Sequence, residues 1–290
     1  MTDRSDNSNI AFQGAIGAYS HLACQQAYPA MRPLHCETFD AAFEAVQLEK
    51  AALAMIPIEN SLAGRVADIH HLMPHSKLHI VAEHFQRVVH NLLAPKGATV
   101  DGLTTVHSHI HALSQCRELI SELGLKTVVH ADTAGAAADI AKHGDTSQAA
   151  IASALAAQSY GLDTLRAGIE DAEHNTTRFV VLAREPIELD RVGGPTITTF
   201  VFRVRNVPAA LYKALGGFAT NGVNMLKLES YMLDGNFTAT QFYADIEGHP
   251  AQPPVARALE ELGFYTHNVD ILGTYPANPF RHQNGRPEGL

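Results

Sequence analysis

Alternating strand and helix patterns in the first two-thirds of the 290-residue sequence predict an α/β fold. Residues 185–195 are rich in glycine and proline, which predicts a linker. Residues 196–276 then follow the order β-α-β-β-α-β, which is typical of a ferredoxin-like domain. We therefore predict two α/β lobes within residues 9–184, the second at about residues 94–170, followed by this separate domain. Residues 277–290 are predicted to be a disordered tail.

The composition is that of a globular protein, with 46% hydrophobic and 18% charged residues. There is no run of about 18 apolar residues, and the polar start Met1–Asn9 lacks the apolar core of a signal peptide, so no membrane contact is expected. A net charge of −9 argues against nucleic acid as a partner. Three widely spaced cysteines predict reduced thiols in a cytoplasmic protein.

The first lobe is predicted from capping signals and apolar runs. Ser20 is a candidate N-cap of the first helix, and the run Leu53–Ile58 is typical of a buried parallel strand. Pro74 ends a helical pattern. The expected extended segments are 9–13, 53–58, 78–85 and 88–93, and the expected helices are 20–28, 38–50 and 65–73.

The second lobe repeats the pattern, with a glycine after each helix. A strand entered at Thr177 then returns toward the first lobe. Two α/β lobes joined by crossing strands predict a cleft at the carboxyl ends of the strands. The expected strands are 103–106, 126–130 and 149–151, and the expected helices are 109–123, 133–143 and one that ends at Tyr160.

The ferredoxin-like domain is predicted from its turn residues. Pro208 suits the start of a helix, and Asp234-Gly235 is a strong hairpin signal. The expected strands are 196–204, 224–233, 237–247 and 265–272, and the expected helices are 208–220 and 253–262.

Thr177 and Arg178 fall where an acidic, amide-rich loop meets a β-branched apolar run. A hydroxyl and a permanently charged guanidinium at a loop–strand junction indicate a ligand site. The structural alternatives are an ordinary strand threonine and an ion pair of the arginine with Glu170 or Asp171.

Five segments stand in an order that is similar to that of one enzyme family. They are Phe12–Ser20, Pro57–Gly64, Ser108–Cys116, Ala149–Ser153 ahead of Tyr160–Leu162, and Asn175–Phe179. Together they resemble prephenate dehydratase, a lyase of phenylalanine biosynthesis. The resemblance covers roughly residues 9–276, and five ordered motifs are far more specific than one.

The resemblance implies decarboxylative dehydration of prephenate to phenylpyruvate, water and CO2, without a cofactor. Thr177 would be the catalytic proton donor, ahead of Glu59, and Arg178 would clamp a carboxylate through its guanidinium. Prephenate is a dianion that the net charge of −9 would repel. The site must therefore supply positive potential from arginine and helix N-termini.

Four further polar residues within the matching motifs are candidates for substrate binding: Ser20, Asn60, Ser108 and Gln115. Ser108 and Gln115 lie seven apart, on one face of the predicted helix. Each residue also has a structural explanation. Ser20 and Ser108 could be N-caps, Asn60 could form an Asx turn, and Gln115 could be exposed helix surface.

Neither a metal site nor a phosphate loop is expected. His107 and His111 have the spacing of a helical chelate, but no third ligand stands at a recognisable distance. The segment Gly14–Gly17 lacks the third glycine of a dinucleotide-binding loop.

The C-terminal domain resembles an ACT domain, which implies phenylalanine as an effector and a homodimer or homotetramer. The expected effector residues are Ala210, Leu211, Asn224, Glu229 and Ser230. The match is incomplete, because the family pattern has glycine at Ala209, and arginine and proline at Tyr231 and Met232.

Two other functions remain open from the sequence. An arogenate dehydratase would act on a substrate that carries an amine in place of the keto group, a difference of one buried polar contact. The second alternative is a non-catalytic amino-acid-sensing protein, because solute-binding proteins also bind their ligands in two-lobed clefts.

Overall fold

The computed structural model describes residues 8–66, 69–172, 174–188, 194–205, 207–232 and 239–283. The chain divides into two compact units. Unit 1 comprises Met1–Val66 and His84–Phe179, and unit 2 comprises Ala67–Glu83 and Val180–Leu290. No helix in the described ranges is long and apolar enough to cross a membrane.

The first sheet follows the strand order β2-β1-β3-β11-β5, with the short β4 paired to β3. Strand β1 is parallel to both of its neighbours, as the alternating pattern predicted. The boundary between the units falls within β5 and within β11. The strands are β1 Asn9–Gln13, β2 Arg32–Cys36, β3 Leu53–Asn60, β4 Gly64–Arg65, β5 His79–Arg87 and β11 Thr176–Ala183, and the helices are α1 Tyr19–Ala27 and α2 Phe39–Gln47.

The second sheet, also in unit 1, has the order β10-β6-β9-β7-β8. Its strands β8, β7 and β9 are parallel, whereas β6 and β10 are antiparallel to their partners. Alanines of α6 and α7 pack against it. The strands are β6 Asn91–Ala94, β7 Thr105–His109, β8 Lys126–His130, β9 Gln148–Ala152 and β10 Asp163–Ala167, and the helices are α4 Ile110–Ser114, α5 Arg117–Glu122, α6 Thr133–His143 and α7 Ala154–Tyr160.

Unit 2 contains the predicted βαββαβ arrangement, with the antiparallel order β13-β14-β12-β15. Both helices bury one face against the sheet, around Phe200, Phe218 and Leu262. The predicted hairpin residues Asp234 and Gly235 lie outside the described residues. The elements are β12 Thr196–Val204, α8 Ala210–Thr220, β13 Met225–Met232, β14 Ala239–Glu247, α9 Pro253–Tyr265 and β15 Thr266–Pro276.

The first part of the predicted disordered tail, residues 277–283, is ordered. A short helix, α10 Phe280–Gln283, follows β15. The reason is the buried carboxylate of Glu83, which accepts two hydrogen bonds of 2.7 Å from the Arg281 guanidinium and one of 3.0 Å from the Asn278 amide nitrogen. A buried charge requires such partners. They order residues 277–283, and the rest of the predicted tail lies outside the described residues.

Two predicted helices were wrong in extent. Within the predicted helix 65–73, Arg65 belongs to β4, and the described residues contain a four-residue helix, α3 Ile69–Leu72. The predicted helix 109–123 is broken in two at Gln115 and Cys116. The cause of the break is Asp171, whose carboxylate accepts the Arg117 and Glu118 amide hydrogens at 2.9 and 3.2 Å and so caps a new helix.

Gly273 is a position at which a side chain cannot fit. A Cβ atom there would lie 2.1 Å from the carbonyl oxygen of Ile80, so β15 and the segment Ala67–Glu83 approach each other through backbone contact. We expect Gly273→Ala to destabilise unit 2 by roughly 1–3 kcal/mol, the usual cost of overpacking. Gly263→Ala in α9 is the matched control, because nothing lies within 4 Å of its added Cβ. Denaturant unfolding of both variants tests this, and equal midpoints would contradict it.

Candidate active site

A cavity of about 330 Å³ lies within unit 1. Residues from the carboxyl end of β3 and the amino end of β11 line it, together with residues at the starts of α1 and α6. Four of the six residues predicted for catalysis or substrate binding are among them: Ser20, Asn60, Gln115 and Thr177. Ser108 and Arg178 are not.

Asn60 and Thr177 are hydrogen-bonded in this cavity. The Asn60 side-chain oxygen accepts the backbone N–H groups of Leu62 and Ala63, at 2.9 and 2.8 Å. This Asx turn fixes the amide, so its Nδ2 is the group that donates to Thr177 Oγ1 at 3.0 Å and to Asn175 Oδ1 at 2.8 Å. Because Thr177 Oγ1 accepts this bond, its own hydrogen remains available to a bound molecule.

The chain of hydrogen bonds continues away from Asn60. Asn175 is buried and donates from Nδ2 to Gln115 Oε1 at 2.8 Å. The same oxygen lies 2.9 Å from His90 Nε2, and His90 Nδ1 lies 2.9 Å from the Tyr19 hydroxyl. Since Gln115 Oε1 can only accept, Nε2 of His90 must carry a hydrogen.

Burial favours the uncharged forms of His90 and Tyr19, the last two residues in this series of hydrogen bonds. It lowers the pKa of His90, an effect that the hydrogen bond to Gln115 and the charge of Glu170 partly oppose. Burial, with smaller contributions from Cys116 and Glu170, raises the pKa of Tyr19 well above its usual value. The Tyr19 hydroxyl hydrogen then has two acceptors, the neutral imidazole Nδ1 at 2.9 Å and the Val89 carbonyl oxygen at 2.8 Å.

His90 and Tyr19 were not among the residues predicted from the sequence. Tyr19 belongs to the Phe12–Ser20 motif and directly precedes Ser20, which was a usable signal. His90 had no such signal, because it stands alone before an apolar strand and finds its partners only through the fold.

Arg178 does not lie beside Thr177 in the cavity. Successive residues of a strand point to opposite faces, so Asn175 and Thr177 face the cavity whereas Arg178 faces the other way. The guanidinium is buried, and its Nη1 lies 3.0 Å from Glu59 Oε1. The expectation that Thr177 and Arg178 lie side by side at one site was therefore wrong. The alternative, an ion pair of Arg178 with Glu170 or Asp171, was also wrong, because the partner is Glu59.

Ser108 lies in β7, because that strand runs three residues further than predicted. Its side chain is fully buried and donates to the Ile151 carbonyl oxygen at 2.6 Å, which ties β7 to β9. His109 is the N-cap of α4, with Nδ1 accepting the His111 amide hydrogen at 3.3 Å. The predicted N-cap role of Ser108, and its shared helix face with Gln115, were therefore wrong.

Ser20 is also not an N-cap. Helix α1 begins one residue earlier, with Ala18 at the cap position and no side-chain hydrogen bond there. The start of α1 nevertheless lines the cavity through Ala18, Tyr19 and Ser20. Uncapped amide hydrogens and the helix dipole make this end favourable for a carboxylate.

The histidine spacing noticed in the sequence does not form a chelate. His107 lies in β7, where its Nδ1 is 3.0 Å from His130 Nε2, whereas His109 and His111 line the cavity. Within the described ranges, no three histidine, cysteine or carboxylate side chains are grouped so as to hold a metal ion.

The two sheets of unit 1 form a periplasmic-binding-protein-like α/β fold. Comparisons with known proteins identify the chain as a lyase-type enzyme. The model of the family "Prephenate dehydratase" matches residues 10–187. This chain belongs to the prephenate dehydratase family.

Similar proteins cover nearly the whole chain. A "bifunctional N-acyl-homoserine lactone acylase/prephenate dehydratase" of Komagataeibacter europaeus is 55% identical over 94% of this chain and 98% of its own length. "Arogenate dehydratase/prephenate dehydratase 6, chloroplastic" of Arabidopsis thaliana is 39% identical over 95% of this chain and 72% of its own length. A prephenate dehydratase structure from Arthrobacter aurescens, in complex with L-Phe, is 29% identical, with a TM-score of 0.85 over 97% of this chain and 92% of that chain.

The orientation of the Asn60 amide can be tested by Asn60→Asp. The new carboxylate cannot donate, so the Thr177 hydroxyl hydrogen should turn toward it and away from the cavity. We expect dehydratase kcat to fall by about 100-fold or more, which is the usual loss for one positioned donor. Gln26→Glu, exposed on α1, adds the same charge and should leave kcat unchanged. Steady-state kinetics decides, and equal rates for the two variants would refute the orienting role.

Proposed function

We propose that this protein converts prephenate to phenylpyruvate, CO2 and water, with Thr177 as the proton donor. The observation that supports this best is the hydrogen bond from Asn60 Nδ2 to Thr177 Oγ1. It occupies the hydroxyl oxygen as an acceptor and leaves the hydrogen as the group offered to a ligand in the cavity.

The reaction needs few groups from the protein. The bond between the ring and its carboxylate breaks, and CO2 leaves. The electron pair enters the ring, which becomes aromatic, and the bond to the ring hydroxyl breaks at the opposite carbon. That oxygen leaves as water once it has gained a proton. A hydroxyl positioned in the cavity can assist this departure by donating as negative charge develops.

Prephenate rather than arogenate is our proposed substrate. Relatives bear the names of both activities, so family membership alone does not select between the substrates. The 55% identical relative is named a prephenate dehydratase, whereas relatives named arogenate dehydratase alone are 38–40% identical. Comparing kcat/KM of the purified protein on the two substrates is the direct test.

Hydrolysis of N-acyl-homoserine lactones is a second candidate activity. It is favoured by the name of the 55% identical relative, which this chain matches over 98% of that relative's length. Release of homoserine lactone from an N-acyl-homoserine lactone by the purified protein would support it. Wild-type protein that turns over prephenate but releases none would remove this candidate.

We also propose that unit 2 contains an ACT domain that binds phenylalanine. The predicted effector residues lie on α8, on β13 and just before β13, with Ala210 buried and Leu211 packed on the core. Ala209, where the family pattern has glycine, has φ of 62°, a left-handed conformation that favours glycine. An L-Phe complex of a related prephenate dehydratase supports the proposal.

The proposed assembly is a homodimer or homotetramer in the cytoplasm. Open sheets expose edge strands that proteins usually cover, and β13 and β15 form the edges of this sheet. Three free, buried cysteines among the described residues are compatible with a reducing compartment.

Thr177→Val replaces the hydroxyl with a methyl group of similar shape. We expect prephenate kcat to fall by about 100-fold or more while KM changes little, because the hydroxyl acts mainly in the transition state. Thr177→Ser keeps the hydroxyl and should retain a substantial part of the rate. Thr164→Val, on exposed β10, is the matched control and should behave as wild type. If Thr177→Val retained half of the wild-type kcat, Thr177 could not be the donor.

Ala209→Gly should strengthen phenylalanine binding, since it removes a methyl group where the family pattern has glycine and the backbone can approach a ligand. Calorimetry with L-phenylalanine should show binding to wild type and a lower Kd for the variant. If the effector and the substrate are coupled, each should weaken the other's binding by the same factor. No heat from either protein at millimolar phenylalanine would reject the effector proposal.

A further inference from the structure

A second cavity, of about 290 Å³, adjoins the active-site cavity in unit 1. The two cavities share three lining residues: Ala63, His111 and Gln115. Gln115 also belongs to the hydrogen-bond chain that leads to Thr177. A molecule whose ring occupies the first cavity can therefore extend past Gln115 into the second.

Arg117 provides the cationic side chain of the second cavity. Among the described residues that line either cavity, it is the only arginine or lysine. Three other arginines of unit 1 have carboxylate partners, namely Arg178 with Glu59, Arg166 with Glu122 and Arg87 with Glu170. Arg117 is exposed, and within the described part of the chain no carboxylate lies within ion-pair distance of its guanidinium.

Asp171 lines the same cavity, but its carboxylate caps the start of α5. Its two carboxylate oxygens accept the amide hydrogens of Arg117 and Glu118 at 2.9 and 3.2 Å. These bonds satisfy the carboxylate and direct its charge toward the helix end. The guanidinium of Arg117 and the ring of His111 remain as donors toward the cavity.

We propose that the second cavity binds the carboxylate of the substrate's three-carbon side chain, with Arg117 as its main ligand and His111 as a second donor. This rests on the proposed function. In prephenate the departing hydroxyl and the side chain are attached to opposite carbons of the ring. A ring whose hydroxyl meets Thr177 therefore points its side chain away from Thr177. A guanidinium fork matches a carboxylate, so Arg117 takes the role that the sequence suggested for Arg178.

Substituting the arginine tests this subsite. Arg117→Gln should raise KM for prephenate by about 10- to 100-fold, as expected for loss of a charge-assisted hydrogen bond, while kcat stays near wild type. Arg117→Lys should recover only part of the loss, because an ammonium cannot bind bidentately. Arg166→Gln is the matched control, since it removes the same charge from a residue that lines neither cavity.

Two product-like probes separate a carboxylate contact from a general effect on the cavity. Phenylpyruvate carries the side-chain carboxylate, and phenylacetone has the same ring and ketone without it. Calorimetry and inhibition assays should show that Arg117→Gln weakens the binding of phenylpyruvate and leaves the binding of phenylacetone unchanged. The proposal is overturned if Arg117→Gln matches Arg166→Gln, or if both probes weaken equally. Phenylpyruvate binding decides the subsite even if wild-type protein does not turn over prephenate, an outcome that would reject the proposed function instead.

Discussion

The orientation of one amide, that of Asn60, determines the polarity of the whole site. Backbone N–H groups can only donate, so those of Leu62 and Ala63 force the Asn60 oxygen toward the turn. Every later bond follows from this, through Asn175 and Gln115 to His90. A tight turn at the end of β3 thus decides that Thr177 receives a hydrogen bond on its oxygen and keeps its hydrogen for the cavity.

The same series of hydrogen bonds connects the two sheets. Asn60 is the last residue of β3 and Asn175 directly precedes β11, both strands of the first sheet. Gln115 follows α4 and His90 directly precedes β6, a strand of the second sheet. Buried polar side chains are costly unless they are satisfied, and when satisfied they favour one arrangement. The network therefore stabilises one relative placement of these groups on the two sheets.

A buried ion pair in unit 1 lies apart from the cavity. The ion pair of Arg178 and Glu59 lies on the face of the first sheet that points away from the cavity, where it links β11 to β3. Because the Arg178 side chain is buried, removing Glu59 would be costly, and the pair stabilises the contact between the two strands. Attraction for an anion has to come from the start of α1 and from donors along the cavity walls, since the net charge of −9 opposes it.

The sequence by itself determined the α/β pattern, the ferredoxin-like order of unit 2 and the family, since these depend on periodicity, turn residues and ordered motifs that are local. It also singled out Asn60, Gln115 and Thr177, which the fold brings to one cavity. Only the tertiary structure decided which face Arg178 occupies, that Ser108 is buried in β7, and that Asp171 splits a helix. Strand ends, caps and hydrogen-bond partners depend on residues distant in sequence, and His90 acquires its role because the fold places it beside Gln115.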